Sequence, residues 1–208
     1  RICALFSAPL VVHVAGGGLQ AMPALAFERE RSNIWNALYG ASRDIDLECK
    51  FATTEVLRTE FTKGCRVLHL SAHGNPACLA METSAGASQL LAQPELEKLL
   101  AAGAAAARVK LAFVSACRSK WAGDAFVAAG VPHVVCVNIN DEVQDGAALR
   151  FTSAFYGSLV EGYCVKAAFD IARESVVHQP GLQDAVVESE KFLLLPEGAP
   201  HEERVFED

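Results

Sequence analysis

Apolar and polar residues in this chain of 208 residues fall into two alternating periods, and the switches between them outline strands and helices. Residues 9–14 predict a first strand after a short apolar start. Residues 26–41 predict a helix, with Glu28, Arg29 and Arg31 polar against an apolar stripe of Phe27, Ile34, Trp35 and Leu38. Ile45, Leu47, Cys49 and Phe51 then alternate with the period of a strand over 45–51. Thr53 and Thr54 precede a short helix over 55–62 that Gly64 stops.

The second half repeats the alternation. Residues 66–71 form an apolar run of strand length, and 77–81 and 88–91 flank Gly86 as a hairpin or loop excursion. Pro94 opens a helix over 95–102 at a position that tolerates proline, and the alanine tract 104–107 is its end or a linker. The run 108–115 is continuously apolar, as a strand covered on both faces should be. A helix over 122–129, closed by Gly130, Val131 and Pro132, leads to a buried strand over 134–139. Helices over 145–161 and 165–178 are separated by Gly162, and a short apolar run at 192–195 precedes an acidic, proline-containing tail. Strand–helix alternation with long crossovers predicts an α/β fold with a mostly parallel sheet covered on both faces. Residues 1–190 read as a single domain and 191–208 as a C-terminal segment or linker towards a further domain.

Composition narrows the function. Hydrophobic residues make up 51% and charged ones 21%, the balance of a globular chain with a substantial core. The net charge of −7 disfavours a nucleic-acid partner and mildly favours a basic substrate. No apolar run reaches the roughly 18 residues of a membrane span, so no membrane partner is expected. The short apolar start runs into Pro9 and Gly16, Gly17 and Gly18 without signal-peptide architecture, and an opening at Arg1 reads as an excised domain. Cys3, Cys49, Cys65, Cys78, Cys117, Cys136 and Cys164 form no close pair. Their odd number and apolar flanks predict reduced thiols and a cytoplasmic location rather than disulfides or structural zinc.

Two of the apolar runs end on residues able to do chemistry. Val67-Leu68-His69-Leu70-Ser71-Ala72 delivers His73 and Gly74, and Leu111-Ala112-Phe113-Val114-Ser115-Ala116 delivers Cys117. In a parallel sheet the carboxyl ends of strands converge on one edge, where ligands bind. There an imidazole can take the proton of a thiol, and the thiolate is the nucleophile. Gly74 leaves room for a substrate backbone, and its N–H, with that of Cys117, could hold a developing oxyanion. These features point to a cysteine hydrolase.

Three ordered segments resemble the CHAT domain, a family of caspase-like peptidases related to separase, gingipains and caspases. They are Leu68-His69-Leu70-Ser71-Ala72-His73-Gly74, Phe113-Val114-Ser115-Ala116-Cys117 and Ala128-Ala129-Gly130-Val131-Pro132-His133-Val134-Val135. The stretch from Phe151 to Tyr156, with Leu159, Gly162, Ala167, Ala168, Ala172 and Arg173, is similar to the family's C-terminal helices. The resemblance implies a caspase-like three-layer α/β/α sandwich and a cysteine endopeptidase with His73 and Cys117 as its dyad, without cofactor or metal. It also implies a protein or peptide substrate, and helical-repeat or nucleotide-binding regulatory domains in a longer parent chain. In separase-like relatives an acidic residue after the strand that follows the nucleophile binds a basic P1 side chain; here Asp141 takes that position, although it could instead cap the next helix, as could Asp145.

Other readings compete. A caspase-like interaction module could keep the dyad without turnover. Gly16-Gly17-Gly18-Leu19-Gln20-Ala21 superficially fits a dinucleotide-binding turn, but Pro23 follows at once and no helix pattern starts at the glycines. His69, four residues before His73, reads as a residue packed in the sheet layer.

Overall fold

The computed structural model describes residues 1–14, 16–41, 43–101 and 108–206. A six-stranded sheet forms its centre. In spatial order the strands are β11 (Phe192–Leu195), β10 (His133–Val137), β9 (Leu111–Ser115), β5 (Val67–Ser71), β1 (Ile2–Phe6) and β4 (Leu47–Phe51). All neighbours pair in parallel except β11, which runs antiparallel to β10.

The two-residue period of the strands sends alternate side chains into two cores. Cys3, Leu5, Leu68, Leu70, Ala112, Val114, Val134 and Cys136 face one layer. That layer holds α2 (Thr54–Lys63), α3 (Gln93–Ala101) and α4 (Lys120–Ala128), which contribute Leu57, Phe61, Leu96, Trp121 and Phe126. Ile2, Ala4, Phe6, Val67, Leu111, Phe113, Val135 and Val137 face the other. There α1 (Phe27–Tyr39), α5 (Asp145–Val160) and α6 (Val165–Val177) supply Ile34, Phe151, Phe155, Tyr156 and Phe169. The three-layer α/β/α sandwich follows directly from this division. Local signals set the helix ends: Thr53 Oγ1 accepts the Val56 N–H at the start of α2, and Gly64 ends it at a φ of 76°.

Several elements depart from the sequence expectation. The first sheet strand is Ile2–Phe6, buried at every position, and not 9–14. Within 9–14 only Val11–His13 is extended, as β2, which pairs with β3 (Leu19–Ala21) in a peripheral hairpin. Gly16 and Gly17 turn that hairpin at φ of 99° and 85°, with the Val14 N–H bonded to the Gly18 carbonyl, so the glycine run closes a turn and opens no helix. Trp35 points outward, 57% exposed, while Glu30 takes a place in the core. A short helix not foreseen, α7 (Ala185–Glu190), precedes β11. Residues 191–206, read from the sequence as a segment or linker, contribute to this fold: β11 closes the sheet edge, and Val205 and Phe206 are buried in the core. The tract 104–107 lies outside the described residues.

A second antiparallel sheet grows from the end of β5. It consists of β6 (His73–Gly74), β7 (Cys78–Glu82) and β8 (Ser88–Ala92), the last two forming the expected hairpin around Gly86. This sheet sits over the carboxyl edge of the central one and carries His73 to the site.

Candidate active site

β5 and β9 lie side by side with Ser71 opposite Ser115 in register, so the residues just beyond them emerge at one edge. His73, Gly74, Ala116 and Cys117 line a single cavity of about 330 Å³ there. Its remaining walls include Leu25, Phe27 and Glu30 around the start of α1, Val135 and Val137 of β10, and Asp145, Leu149 and Thr152 of α5. The two residues singled out as base and nucleophile thus share one cleft, both half-buried.

The imidazole is oriented by the backbone. His73 Nε2 lies 2.8 Å from the carbonyl oxygen of Pro23. A carbonyl can only accept, so Nε2 carries the proton and Nδ1 is the ring's free basic nitrogen. Pro23 belongs to the link between the hairpin and α1, and no pattern in the sequence marks it for this task.

Gly74 is needed for packing more than for openness. A Cβ built there would stand 2.4 Å from the Cys117 carbonyl oxygen and 3.1 Å from the Ala116 Cβ. The backbones of the two segments therefore approach as only glycine permits, which brings Gly74 and Cys117 side by side. Trp121 of α4 reinforces this junction by donating its indole N–H to the Asn75 carbonyl at 3.0 Å.

The turn after Cys117 is sharp. Arg118 adopts a left-handed conformation, φ 55°, that a non-glycine residue holds only when its surroundings enforce it. Its N–H donates to the Asp141 carbonyl at 3.0 Å, and its guanidinium pairs with Glu142 at 3.0 Å. Ser119 Oγ bonds the Val114 carbonyl and accepts the Val137 N–H, pinning the turn to β9 and β10. α4 starts three residues after the thiol, and the positive end of a helix favours an anion nearby.

Of the acidic residues after β10, Asp141 stands outside the cavity lining and serves the nucleophile turn through its backbone. Glu142 and Asp145 line the cavity instead. Glu142 is paired with Arg118, whereas no cation among the described residues lies within ion-pair distance of Asp145. On the cavity wall the hydroxyl of Thr152 is buried and has no hydrogen-bond partner among the described residues.

The third carboxylate, Glu30, is 6% exposed and was not expected at the site. It accepts hydrogen bonds from Ser71 Oγ at 2.7 Å and Ser115 Oγ at 2.6 Å, and lies 3.3 Å from His69 Nε2. His69 is fully buried and its Nδ1 lies 3.0 Å from the Tyr156 hydroxyl, which confirms its place within the sheet layer. Burial alone would raise the Glu30 carboxyl, but His69 and the two serine hydroxyls outweigh it and hold the group below its ordinary value. Tyr156, sealed between α5 and the sheet, is pushed well above the usual phenol range by burial.

The seven cysteines are all free thiols. Cys3, Cys65, Cys78 and Cys136 are buried, while Cys49 and Cys164 lie at the surface and in a half-buried position away from the cleft. Among the described residues no group of three or more His, Cys, Asp or Glu side chains could hold a metal ion. Among the same residues no helix is long and apolar enough to cross a membrane.

Comparison with known proteins agrees with this architecture. The sequence pattern of the family described as the CHAT domain matches residues 8–202. Among solved structures the chain is similar to the Arg-specific cysteine proteinase gingipain R, with a TM-score of 0.61 at 10% identity over 93% of this chain and 44% of that one. The chain thus spans less than half the length of that proteinase, and at this identity the likeness concerns the fold. A pyridoxal kinase from Staphylococcus aureus matches more loosely, with a TM-score of 0.37 at 10% identity over 83% of this chain and 84% of that one. No curated protein matches the chain.

Proposed function

The chain belongs to the CHAT domain family of caspase-like cysteine peptidases, and from that premise we propose that it is an endopeptidase whose dyad is His73 and Cys117. The observation that carries this reading is the convergence of the two side chains on one cleft at the carboxyl ends of adjacent parallel strands.

In the proposed cycle His73 Nδ1 takes the Cys117 thiol proton, and the thiolate attacks the scissile carbonyl carbon. The oxyanion that forms is held by the N–H groups of Gly74 and Cys117. Collapse of the tetrahedral intermediate breaks the C–N bond, His73 protonates the departing amine, and a thioester remains on Cys117. Water, deprotonated by His73, then hydrolyses the thioester and restores the thiol. The Pro23 carbonyl supports each step by keeping the imidazole in the tautomer that leaves Nδ1 free.

For the P1 side chain we assign the contact to Asp145 ahead of Asp141, because Asp145 lines the cavity and, unlike Glu142, meets no cation among the described residues. A Lys or Arg head would supply that cation through a charge-assisted hydrogen bond. Regulatory domains in a longer parent and a cytoplasmic setting complete the proposal.

A peptide-library cleavage profile of the parent protein, alongside its Cys117→Ala variant, tests the assignment. Cleavage after basic residues that vanishes in the variant is the expected result. Turnover that survives the substitution overturns the dyad, and a wild type that cleaves nothing supports the silent interaction module instead.

A further inference from the structure

Outside the dyad, the buried carboxylate on α1 is the one that joins both strands leading to His73 and Cys117. We infer that Glu30 is a positioning residue that sets the separation of His73 and Cys117 by tying together the last paired residues of β5 and β9. The inference rests on the dyad reading above.

The geometry is nearly symmetrical. Ser71 and Ser115 are register partners, and each stands two residues before a member of the dyad. Ser71 Oγ donates to Glu30 Oε2 at 2.7 Å, and Ser115 Oγ donates to Glu30 Oε1 at 2.6 Å. Each carboxylate oxygen thus takes one hydroxyl, one from each strand, at lengths typical of charge-assisted O–H···O bonds. Glu30 comes from a different layer of the fold, so the tie fixes the strand ends from above the sheet as well as within it.

The place of the tie matters more than its strength. The β5–β9 pairing ends at Ser71 and Ser115, and the Ala72 N–H to Ser115 carbonyl bond, at 3.2 Å, is its final backbone link. Beyond it the regular ladder stops, although Gly74 and Cys117 stay in close backbone contact: His73 enters β6 and pairs with β7, while Cys117 enters the left-handed turn at Arg118. Glu30 grips the strands at their last register pair. His69 Nε2, two residues back on β5, lies 3.3 Å from Glu30 Oε1, and His69 Nδ1 lies 3.0 Å from Tyr156 Oη of α5. Glu30 also lines the cavity, with each of its oxygens already holding one strand hydroxyl.

A carboxylate is required because only it accepts from both hydroxyls at once. Glutamine keeps the volume but offers one acceptor and one donor group, so one serine must reverse its hydroxyl. Loss of either bond lets the strand ends move apart, and a nucleophile–base pair is sensitive to displacements well below 1 Å.

The test is the rate of iodoacetamide alkylation at Cys117, followed by peptide mass spectrometry from pH 5 to 9. It is run on the wild type, Glu30→Gln, Ser115→Ala and His73→Ala, with thermal unfolding of each. The expected result is a Cys117 alkylation rate and pH profile in the wild type that change when His73 is replaced. Glu30→Gln and Ser115→Ala should remain folded, lose about tenfold in rate at neutral pH, and move towards the His73→Ala profile. If Glu30→Gln fails to fold, Ser115→Ala alone decides. A wild-type profile in the folded variants overturns the role of Glu30 while leaving the dyad standing. A wild-type profile that His73→Ala does not alter overturns the dyad, and the positioning role with it.

Discussion

Two glutamates are buried on opposite faces of the sheet, and they are satisfied in opposite ways. Glu60, on α2, has a side chain only 1% exposed, and three cations reach it: Arg1 at 3.1 Å, Lys50 at 2.7 Å and Lys63 at 3.0 Å. Glu30, on α1, meets no lysine or arginine among the described residues; two serine hydroxyls bond it and a histidine lies beside it. Long flexible cations hold a carboxylate by charge and tolerate movement. Short hydroxyls hold it by direction and fix positions to a few tenths of an ångström. The node held by cations fastens a helix to the rim of the fold, whereas the one held by hydroxyls lies on the wall of the candidate cleft.

The sharpest way to break this contrast is at the nucleophile. Cys117→Ala should abolish peptide cleavage and leave the unfolding midpoint within about 0.5 kcal/mol of wild type, as for most changes away from the packed core; a large stability loss would make Cys117 a structural residue. Gly74→Ala should come next. Its Cβ would meet the Cys117 carbonyl at 2.4 Å, so backbone must shift. Cleavage should fall at least about tenfold and stability by about 1–3 kcal/mol, read by kcat/KM and denaturant unfolding. Asp145→Asn should reduce the preference for basic over neutral P1 residues by about tenfold, the weight of one charge-assisted hydrogen bond, with kcat/KM on the neutral peptide unchanged.

Glu60→Gln should have the smallest effect at the site and act on stability alone. Its carboxyl is held at about 2: burial opposes ionisation, but Lys50 and Lys63 outweigh it. The folded value lies below the ordinary 4.5, so the stabilisation is fully present above pH 4.5 and is lost as pH falls towards 2. The variant should lose about 1–3 kcal/mol at neutral pH, since its cationic partners are partly solvated. Its acid-unfolding curve should be flatter than that of wild type, and Cys117 alkylation should not change. A fall in alkylation would show that the two nodes are coupled through the sheet.

The sheet that carries the dyad was readable because β5 and β9 are doubly covered and so appear as unbroken apolar runs ending at His73 and Cys117. β1 was harder. It is as long as β5 and β9, but its apolar run continues past Phe6 through Ala8 and Leu10, and the β-branched Val11 and Val12 drew the assignment to a peripheral hairpin. Glu30 was missed because it reads as one more charge beside Glu28, Arg29 and Arg31. Yet it lies three residues after Phe27 and four before Ile34, on the very stripe that faces the core. A charge on that stripe was the available signal. Pro23 left no such trace, since a backbone carbonyl carries no sequence signature. Asp141 had the right place in the chain, but its carbonyl, and not its carboxylate, is directed to the nucleophile turn.

The tie at Glu30 also bears on when the site comes into being. It joins residues 41 and 85 positions apart along the chain, across two strands that are themselves linked only through a crossover. Such contacts are among the last rewarded during folding, because long loops must close before they form. A chain that has made its helices and hairpins but not its parallel core holds a thiol and an imidazole that have not yet met. On the proposed reading, the nascent chain has no assembled dyad until the sheet is complete.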